Sequence, residues 1–434
     1  MQHHIIKSLA AIAMVLLSLG TVEAQDNMVT LRGTVTDLKT KEVVPYATVY
    51  SENRIHYTTT NADGVYVLKL PVTMKDSRMV FSQMGYRRDT VDVSILMKNG
   101  DVKLASGSIE LREVTVSEYR SVKSLLKEVI RRIPENYHTD TMVCTGFFRR
   151  AATVNDSLYL FEEHVADMLR VGYGKNPQKS YSNPRGINSN YMAIRKLRIM
   201  DYDTMMLYRM VNSPWTVQYL SEYMDGYLLR DKVEIYKSYL EKVPRKATLK
   251  EFTDGDGTAY YVISMGRSAI TIEKQSLAIV RIDRHSSMGG TPITIPVTWL
   301  VKGFKKMSPL RKFDISTDET YIYGKVGDRY TLLSYNTVET TYYVNDTKGQ
   351  WEGVVPEMMV KDYTTFQLVG HRPGHWSFIQ ENGIDPYRAT YQPYDKLPVS
   401  HKAYSDDYWE QYNYIPINAD LLKKLNAKRS AGKE

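Results

Sequence analysis

From Val29 the sequence VTLRGTVTD alternates, with Val29, Leu31, Gly33 and Val35 on one side and Thr30, Arg32, Thr34 and Thr36 on the other. A period of two marks a strand that buries one face, and it commits this part of the chain to a sheet. Similar pieces follow at ATVYS (Ala47, Val49), GVYVLKL (Tyr66, Leu68, Leu70) and TVDVSI (Val91, Val93, Ile95). Turn-forming residues separate them at Asp37 to Lys41, Asn61 to Gly64 and Lys75 to Ser77. Short strands without a helical stretch between them predict a small antiparallel β-sandwich over residues 25–96. Within it, TTTNADGVYVLKL reads as a hairpin turned by Asn61, Asp63 and Gly64, because glycine accepts the positive φ of a tight turn.

The residues before the sandwich read as a secretory peptide, residues 1–24. Lys7 is followed by the apolar run LAAIAMVLLSLG and by VEA ending at Ala24, which is too short an apolar core to span a bilayer. Export is the expectation, with Gln25 as the first mature residue and a periplasmic or outer-membrane-associated location. The single cysteine, Cys144, rules out an intramolecular disulfide, so stability must come from an ordinary core. The formal charge of +8 is spread along the chain, which describes a solvated basic surface rather than a nucleic-acid-binding block. Nucleic acid is therefore not an expected partner.

Residues 97–117 read as a linker or connecting strand, 118–425 as a larger α+β region and 426–434 as a charged tail. SVKSLLKEVIRRIPENY puts Val122, Leu125, Leu126, Val129, Ile130 and Ile133 at helical spacing, and Pro134 ends the run. MVCTGFFRRAATV reads as a strand leading to a turn at Asn155 and Asp156, while the sequence after that turn fits strand or helix. Residues Met205 to Val243 read as largely helical, with Pro214 interrupting near the start and Pro244 closing the segment. Strands dominate from Ala247: one hairpin turns at Asp254 to Gly257 and another at Lys274 to Ser276. Further strands are expected at Ile293 to Phe304, Thr320 to Gly324 and Tyr330 to Val344. The fold class is mainly β, α+β, with an antiparallel strand meander.

The ordered succession Gly33, Val35, Asp37, Pro45, Ala47, Val49, Thr60, Asp63, Gly64, Tyr66, Leu68, Gly85 and Tyr86 resembles the carboxypeptidase regulatory-like domain, a transthyretin-like sandwich. In that family the sandwich is an accessory module. Similar modules begin outer-membrane receptors for glycans, where a segment like LREVTV (Leu111 to Val116) follows; 434 residues are too few for the plug and barrel that come next there. The resemblance implies an envelope setting without implying transport. The later segments SLLKEVIRRIPENY, TGFFRR and YWEQYNYIP are similar to regions that follow this sandwich in other exported proteins, and no activity goes with that likeness. The hairpins with YYVIS and AIVRIDR resemble the half-barrel of periplasmic lipoprotein carriers, which implies a sheet sheltering acyl chains.

Catalytic spacing is not evident, and no metal, cofactor or catalytic residue is expected. Zinc carboxypeptidases need a histidine and glutamate at close spacing, and His-x-x-Glu does not occur. HRPGH brings His371 and His375 together, but Pro373 and Gly374 oppose a helical arrangement of the two rings. GRSAI at Gly266 lacks the second glycine of a nucleophile elbow, and GYGKNPQKS fails the phosphate-loop spacing. DGDG at Asp254 reads as a hairpin turn rather than a calcium loop. Cys144 reads as a buried apolar residue. The 34 tyrosines include Tyr342, Tyr343, Tyr404, Tyr408, Tyr412 and Tyr414, with Trp409 among the last four. Their rings suit half-buried strands, and they also suit sugars or a membrane interface. The expected role is a non-enzymatic binding or accessory protein with an envelope protein, glycan or lipid as partner. The alternatives are a hydrophobic-ligand carrier and a hydrolase of unfamiliar design; a small outer-membrane barrel ranks last, since YTLLSYNTVETTYYV puts polar residues on both faces.

Overall fold

The computed structural model describes residues 28–107, 112–113, 119, 121–170, 172–173, 191–202, 240, 243, 246–288, 310–345, 357–375, 377–383, 400, 402–410 and 412–431. The first domain is the expected sandwich. One sheet orders β4 (Val65–Pro71), β1 (Met28–Asp37) and β7 (Val102–Leu104); the other orders β3 (Tyr57–Thr59), β2 (Thr48–Ser51), β5 (Arg78–Ser82) and β6 (Asp89–Asp92). Leu31, Val35, Ala47, Val49, Tyr66, Leu68, Leu70 and Phe81 fill the space between them. Gly33 is fixed by packing, because a Cβ there would lie 2.0 Å from the Gly100 carbonyl oxygen, and Tyr66 donates its hydroxyl to that same oxygen at 2.8 Å.

Three details differ from the strand pattern. TTTNADGVYVLKL turns at Asn61 to Gly64 but makes no hairpin, because β3 pairs with β2 in one sheet and β4 with β1 in the other. β7 lies in the segment read as connecting and pairs in parallel with β1. TVDVSI does not continue as a strand: it leaves β6 at Asp92 and forms a helical turn at Val93–Leu96, which buries Val93 and Leu96 in the core and leaves Ile95 54% exposed. Alternation put Val93 and Ile95 on one face, whereas the turn separates them.

The second region is built on an eleven-stranded sheet, with order β11-β10-β9-β18-β17-β16-β15-β14-β13-β12-β8 and every neighbouring pair antiparallel. These strands are β8 (Arg112–Glu113), β9 (Met142–Val154), β10 (Ser157–Arg170), β11 (Tyr191–Tyr202), β12 (Thr248–Thr253), β13 (Ala259–Met265), β14 (Ser268–Glu273), β15 (Ile279–Met288), β16 (Leu310–Val326), β17 (Arg329–Asn345) and β18 (Glu357–Pro373). The sequence after Asn155 resolves as strand. Asn155 and Asp156 both take positive φ, 46° and 65°, the geometry of a two-residue hairpin turn, so β10 folds straight back on β9. The hairpins at Asp254 to Gly257 and Lys274 to Ser276 form where expected. Residues 293–304 and nearly all of 205–243 lie outside the described residues.

Helix α1 (Val122–Arg131) is started by Ser121, whose hydroxyl accepts from the Ser124 amide at 3.1 Å in a reciprocal capping box. It buries Leu125, Leu126 and Val129, with Ile133 just beyond, against a sheet face carrying Ile263, Ile270, Ile272 and Ile282. On that face an aromatic ladder crosses five strands: Tyr321, Tyr335, Phe366, Phe148 and His164 follow one another at ring separations of 5.6, 5.5, 5.0 and 4.7 Å. The opposite face of β9 and β10 is covered by residues 404–410 and 412–417 and by helix α2 (Ala419–Ala431), through Trp409, Tyr414, Ile415, Leu421 and Leu425.

Candidate functional site

A cleft of about 620 Å³ opens between the β2–β5 side of the sandwich and strands β12 to β17 of the large sheet. Strand alternation sets its lining. Val49 points into the sandwich core, so Tyr50 points out; Tyr261 is buried beneath the sheet, so Tyr260 turns the other way. Arg88 lies at the junction, with Nε 2.9 Å from Asp256 and its amide donating to the same carboxylate at 3.0 Å.

The carboxylates of the cleft are engaged within the protein. Asp254 accepts from the Asp256 and Thr258 amides at 3.1 and 2.9 Å and from the Tyr260 hydroxyl at 3.2 Å; Glu273 accepts from the Tyr330 hydroxyl at 2.7 Å. Burial, reinforced by these acids, pushes both phenols well above the usual tyrosine range, so they stay protonated donors. Lys274 is paired with Glu251 at 3.1 Å and Arg281 with Asp283 at 2.7 Å. Arg54 lies 5.0 Å over the Tyr50 ring and Lys325 5.3 Å over the Tyr330 ring, and neither makes an ion pair among the described residues. Counting Glu251 and Asp283 with Asp254, Asp256 and Glu273, five acids stand at or beside the cleft against its five cations, so the lining is polar and charge-balanced with aromatic rings among it.

Of the motifs weighed in the sequence, DGDG lines the cleft through Asp254 and Asp256, residues 174–180 of GYGKNPQKS lie outside the described residues, and HRPGH, Cys144 and GRSAI fall elsewhere. His371 sits on β18 opposite Cys144 of β9, and its ring lies 6.0 Å from that of His138. Burial, with His138 beside it, lowers the His371 pKa. Cys144 is fully buried in the apolar core. No group of three metal-ligating side chains occurs among the described residues. GRSAI is the β13–β14 turn, with Gly266 at φ 63°. Ser268, His285 and Asp318 do meet there, but the Ser268 hydroxyl bonds the His285 backbone, and the imidazole places Nδ1 against Asp318 at 2.7 Å and Nε2 against Arg267 at 3.1 Å. The ring therefore does not face the serine as a base would. The aromatic residues from Tyr404 to Tyr414 pack against β9, β10 and β11.

Sequence reasoning missed a buried ionic triad beneath them. Glu163 on β10 accepts from Arg149 Nε at 2.7 Å and from Arg198 Nε at 3.0 Å, with side-chain exposures of 0, 5 and 3% respectively. Arg149 also donates to the Ile415 and Pro416 carbonyls at 2.7 and 3.2 Å, and Arg198 to the Ser405 carbonyl at 2.7 Å. The Arg198 guanidinium lies 4.4 Å from the Tyr404 ring and 4.7 Å from that of Tyr408. A signal was present: Phe147, Arg149, Ala151 and Phe161, Glu163, Val165 each set an ionised residue in an otherwise apolar row.

The CarboxypepD_reg-like domain model matches residues 31–116. That stretch is a carboxypeptidase regulatory-like domain. It covers the described sandwich from within β1 and continues past β7. Curated proteins give no match. Among solved structures, one of lipovitellin, concerned with lipid–protein interactions, is similar at 7% identity and TM-score 0.19, covering 55% of this chain and 26% of that one. A protein of unknown function from Bacteroides fragilis NCTC 9343, described as membrane-associated, is similar at 11% identity and TM-score 0.13, covering 79% of this chain and 97% of that one. At such TM-scores neither likeness bears on fold or ligand. No helix among the described residues is long and apolar enough to cross a membrane, which says nothing of crossing by strands.

Proposed function

We propose that this chain is an exported, non-enzymatic binding protein of the cell envelope, and that the cleft between the regulatory-like domain and the large sheet takes its ligand, a glycan. The carrying observation is the composition of that cleft: Tyr260, and Tyr50 beneath the Arg54 guanidinium, line it beside Arg88, Lys274 and Arg281, a polar lining suited to a hydrated ligand with many hydroxyls. An acyl chain would leave these charged groups without water, so the same observation argues against the hydrophobic-carrier reading. The apolar run before Gln25 and the accessory character of the sandwich family support the envelope setting.

Calorimetric titration of the purified chain against a panel of oligosaccharides tests the reading. Binding that weakens about tenfold in Tyr260→Ala, the loss of one stacking face, is the expected result. Release of cleaved sugar or peptide products, abolished by one point substitution, would replace it with an enzymatic function.

A further inference from the structure

We propose that the cleft continues inward as an uncharged subsite between β3 and strands β17 and β18, and that this subsite takes the hydroxyl groups of a neutral sugar residue; this rests on the glycan-binding reading above. Strand register places it. Arg281 of β15 pairs with Ile322 of β16, Ile322 with Ser334 of β17, Ser334 with Gln367 of β18, and Gln367 with Phe147 of β9. Residues paired directly across antiparallel strands share a face. Arg281 and Ile322 line the cleft, so Ser334 and Gln367 prolong its floor, and the row ends at Phe147 against Trp409. Above that floor lies β3, with the Gln367 side-chain amide donating to the Tyr57 carbonyl at 3.5 Å. Tyr57 and Thr59 pair with Tyr50 and Thr48 of β2 and share their outward face, since Val49, the partner of Thr58, points into the sandwich core. Thr48, Tyr50 and Tyr57 line the cleft as well.

Both surfaces of this inner end carry polar atoms that nothing among the described residues satisfies: the Tyr57 and Thr59 hydroxyls above, the Ser334 hydroxyl and the Gln367 side-chain oxygen below. In the same order the four residues are 4, 2, 0 and 1% exposed. Buried polar groups as a rule find partners, and four orphans along one seam mark a place that accepts them from outside. All four are uncharged, because burial holds the Tyr57 phenol well above the usual tyrosine range. A sugar hydroxyl can donate to or accept from each of them, whereas a carboxylate or sulfate would lose its water there without meeting a cation. The seam is closed in this structure, so a sugar enters as β3 moves off the large sheet. That strand is three residues long, stands at the edge of its own sheet, and its bond from Gln367 is long. The other side of the sandwich is tied down by Asn413 to the Lys69 amide and by Asn61 to the Pro416 carbonyl, and it serves as the pivot.

Calorimetry with cellohexaose, maltohexaose, mannohexaose and hexagalacturonate tests the subsite on near-isosteric variants. A neutral hexasaccharide should bind at least about tenfold tighter than hexagalacturonate. Tyr57→Phe, Thr59→Val and Ser334→Ala each remove one orphan hydroxyl; each should weaken neutral-sugar binding about fivefold and keep or raise the melting temperature. Thr58→Val is the control. Its hydroxyl is also a buried orphan, but it lies on the Val49 side of β3, so the melting temperature should again hold or rise while binding stays unchanged. Tighter binding of hexagalacturonate than of any neutral sugar, binding intact in all three seam variants, or an equal loss in Thr58→Val would overturn the subsite while leaving the glycan reading standing. Water alone filling the seam in a crystal structure of the sugar complex would do the same. Failure of all four saccharides to bind would overturn both.

Discussion

The sandwich meets the large sheet in two ways. On one side residues 404–410 and 412–417 run between them. Asn413 accepts the Lys69 amide at 2.6 Å and donates to the Lys69 carbonyl at 3.3 Å, Asn61 donates to the Pro416 and Ile417 carbonyls at 3.3 Å, and the Arg149–Glu163–Arg198 triad lies sealed beneath. On the other side is the cleft, bridged by Arg88 and Asp256 with 37 and 20% of their side chains exposed. Both joins use arginine and a carboxylate. Their consequences differ because water screens the second pair and not the first. Burial makes the same chemistry a structural requirement in one place and leaves it adjustable in the other. The adjustable side is where a ligand can enter.

The contrast can be broken most directly at Glu163. Glu163→Ala leaves two guanidiniums buried without their anion and should cost about 3–5 kcal/mol in urea unfolding; a loss below about 1 kcal/mol would mean that the two joins are energetically alike. Next in size is a pH effect on the aromatic ladder. Burial lowers the pKa of His164 to about 4, and its Nε2 has no hydrogen-bond partner. Unfolded, the ring takes up a proton near pH 6.5, so between pH 6.5 and 4 the unfolded state binds more protons. This contribution to stability is complete above pH 6.5 and falls by about 3 kcal/mol in total as the pH drops to 4. Unfolding curves at pH 7, 5.5 and 4 should show it, and His164→Phe should flatten that slope.

Asn413→Ala removes the bonds to both backbone groups of Lys69 and should cost about 1–3 kcal/mol, with faster amide exchange at Lys69. The smallest effect belongs to the cleft. A double-mutant cycle over Arg88→Ala and Asp256→Ala should give a coupling under about 1 kcal/mol that shrinks with salt.

Local signals in the sequence carried the turn at Asn61 to Gly64, the meander from Thr248 to Met288, and α1, while the passage of that turn from one sheet to the other was not legible. Each is made of contacts between near neighbours, where alternation, turn residues and a Ser cap suffice. The parallel strand β7 was hidden because three residues, Val102 to Leu104, carry too little pattern and their partner is Val35 to Asp37. The cleft was half legible. DGDG was read as a turn, and Asp254 does organise that turn, but nothing near it in the chain points to Arg88 or Tyr50 as its neighbours. The abundance of tyrosine suited structural packing as well as sugars or a membrane interface, and the rings from Tyr404 to Tyr414 are used in packing, covering Arg198 and Phe147.

The turn TTTNADG, which crosses between the two sheets of the sandwich, also holds a distant part of the chain, because its Asp63 carboxylate accepts the Ala419 amide at 2.7 Å, at the start of α2. The central pairing is equally remote in the chain, since β9 lies beside β18. A protease cutting between Tyr202 and Thr248 would therefore make two polypeptides but not two particles. The nicked protein would keep its hydrodynamic size on a column while running as fragments on a denaturing gel, and the halves expressed separately should reassemble along that seam.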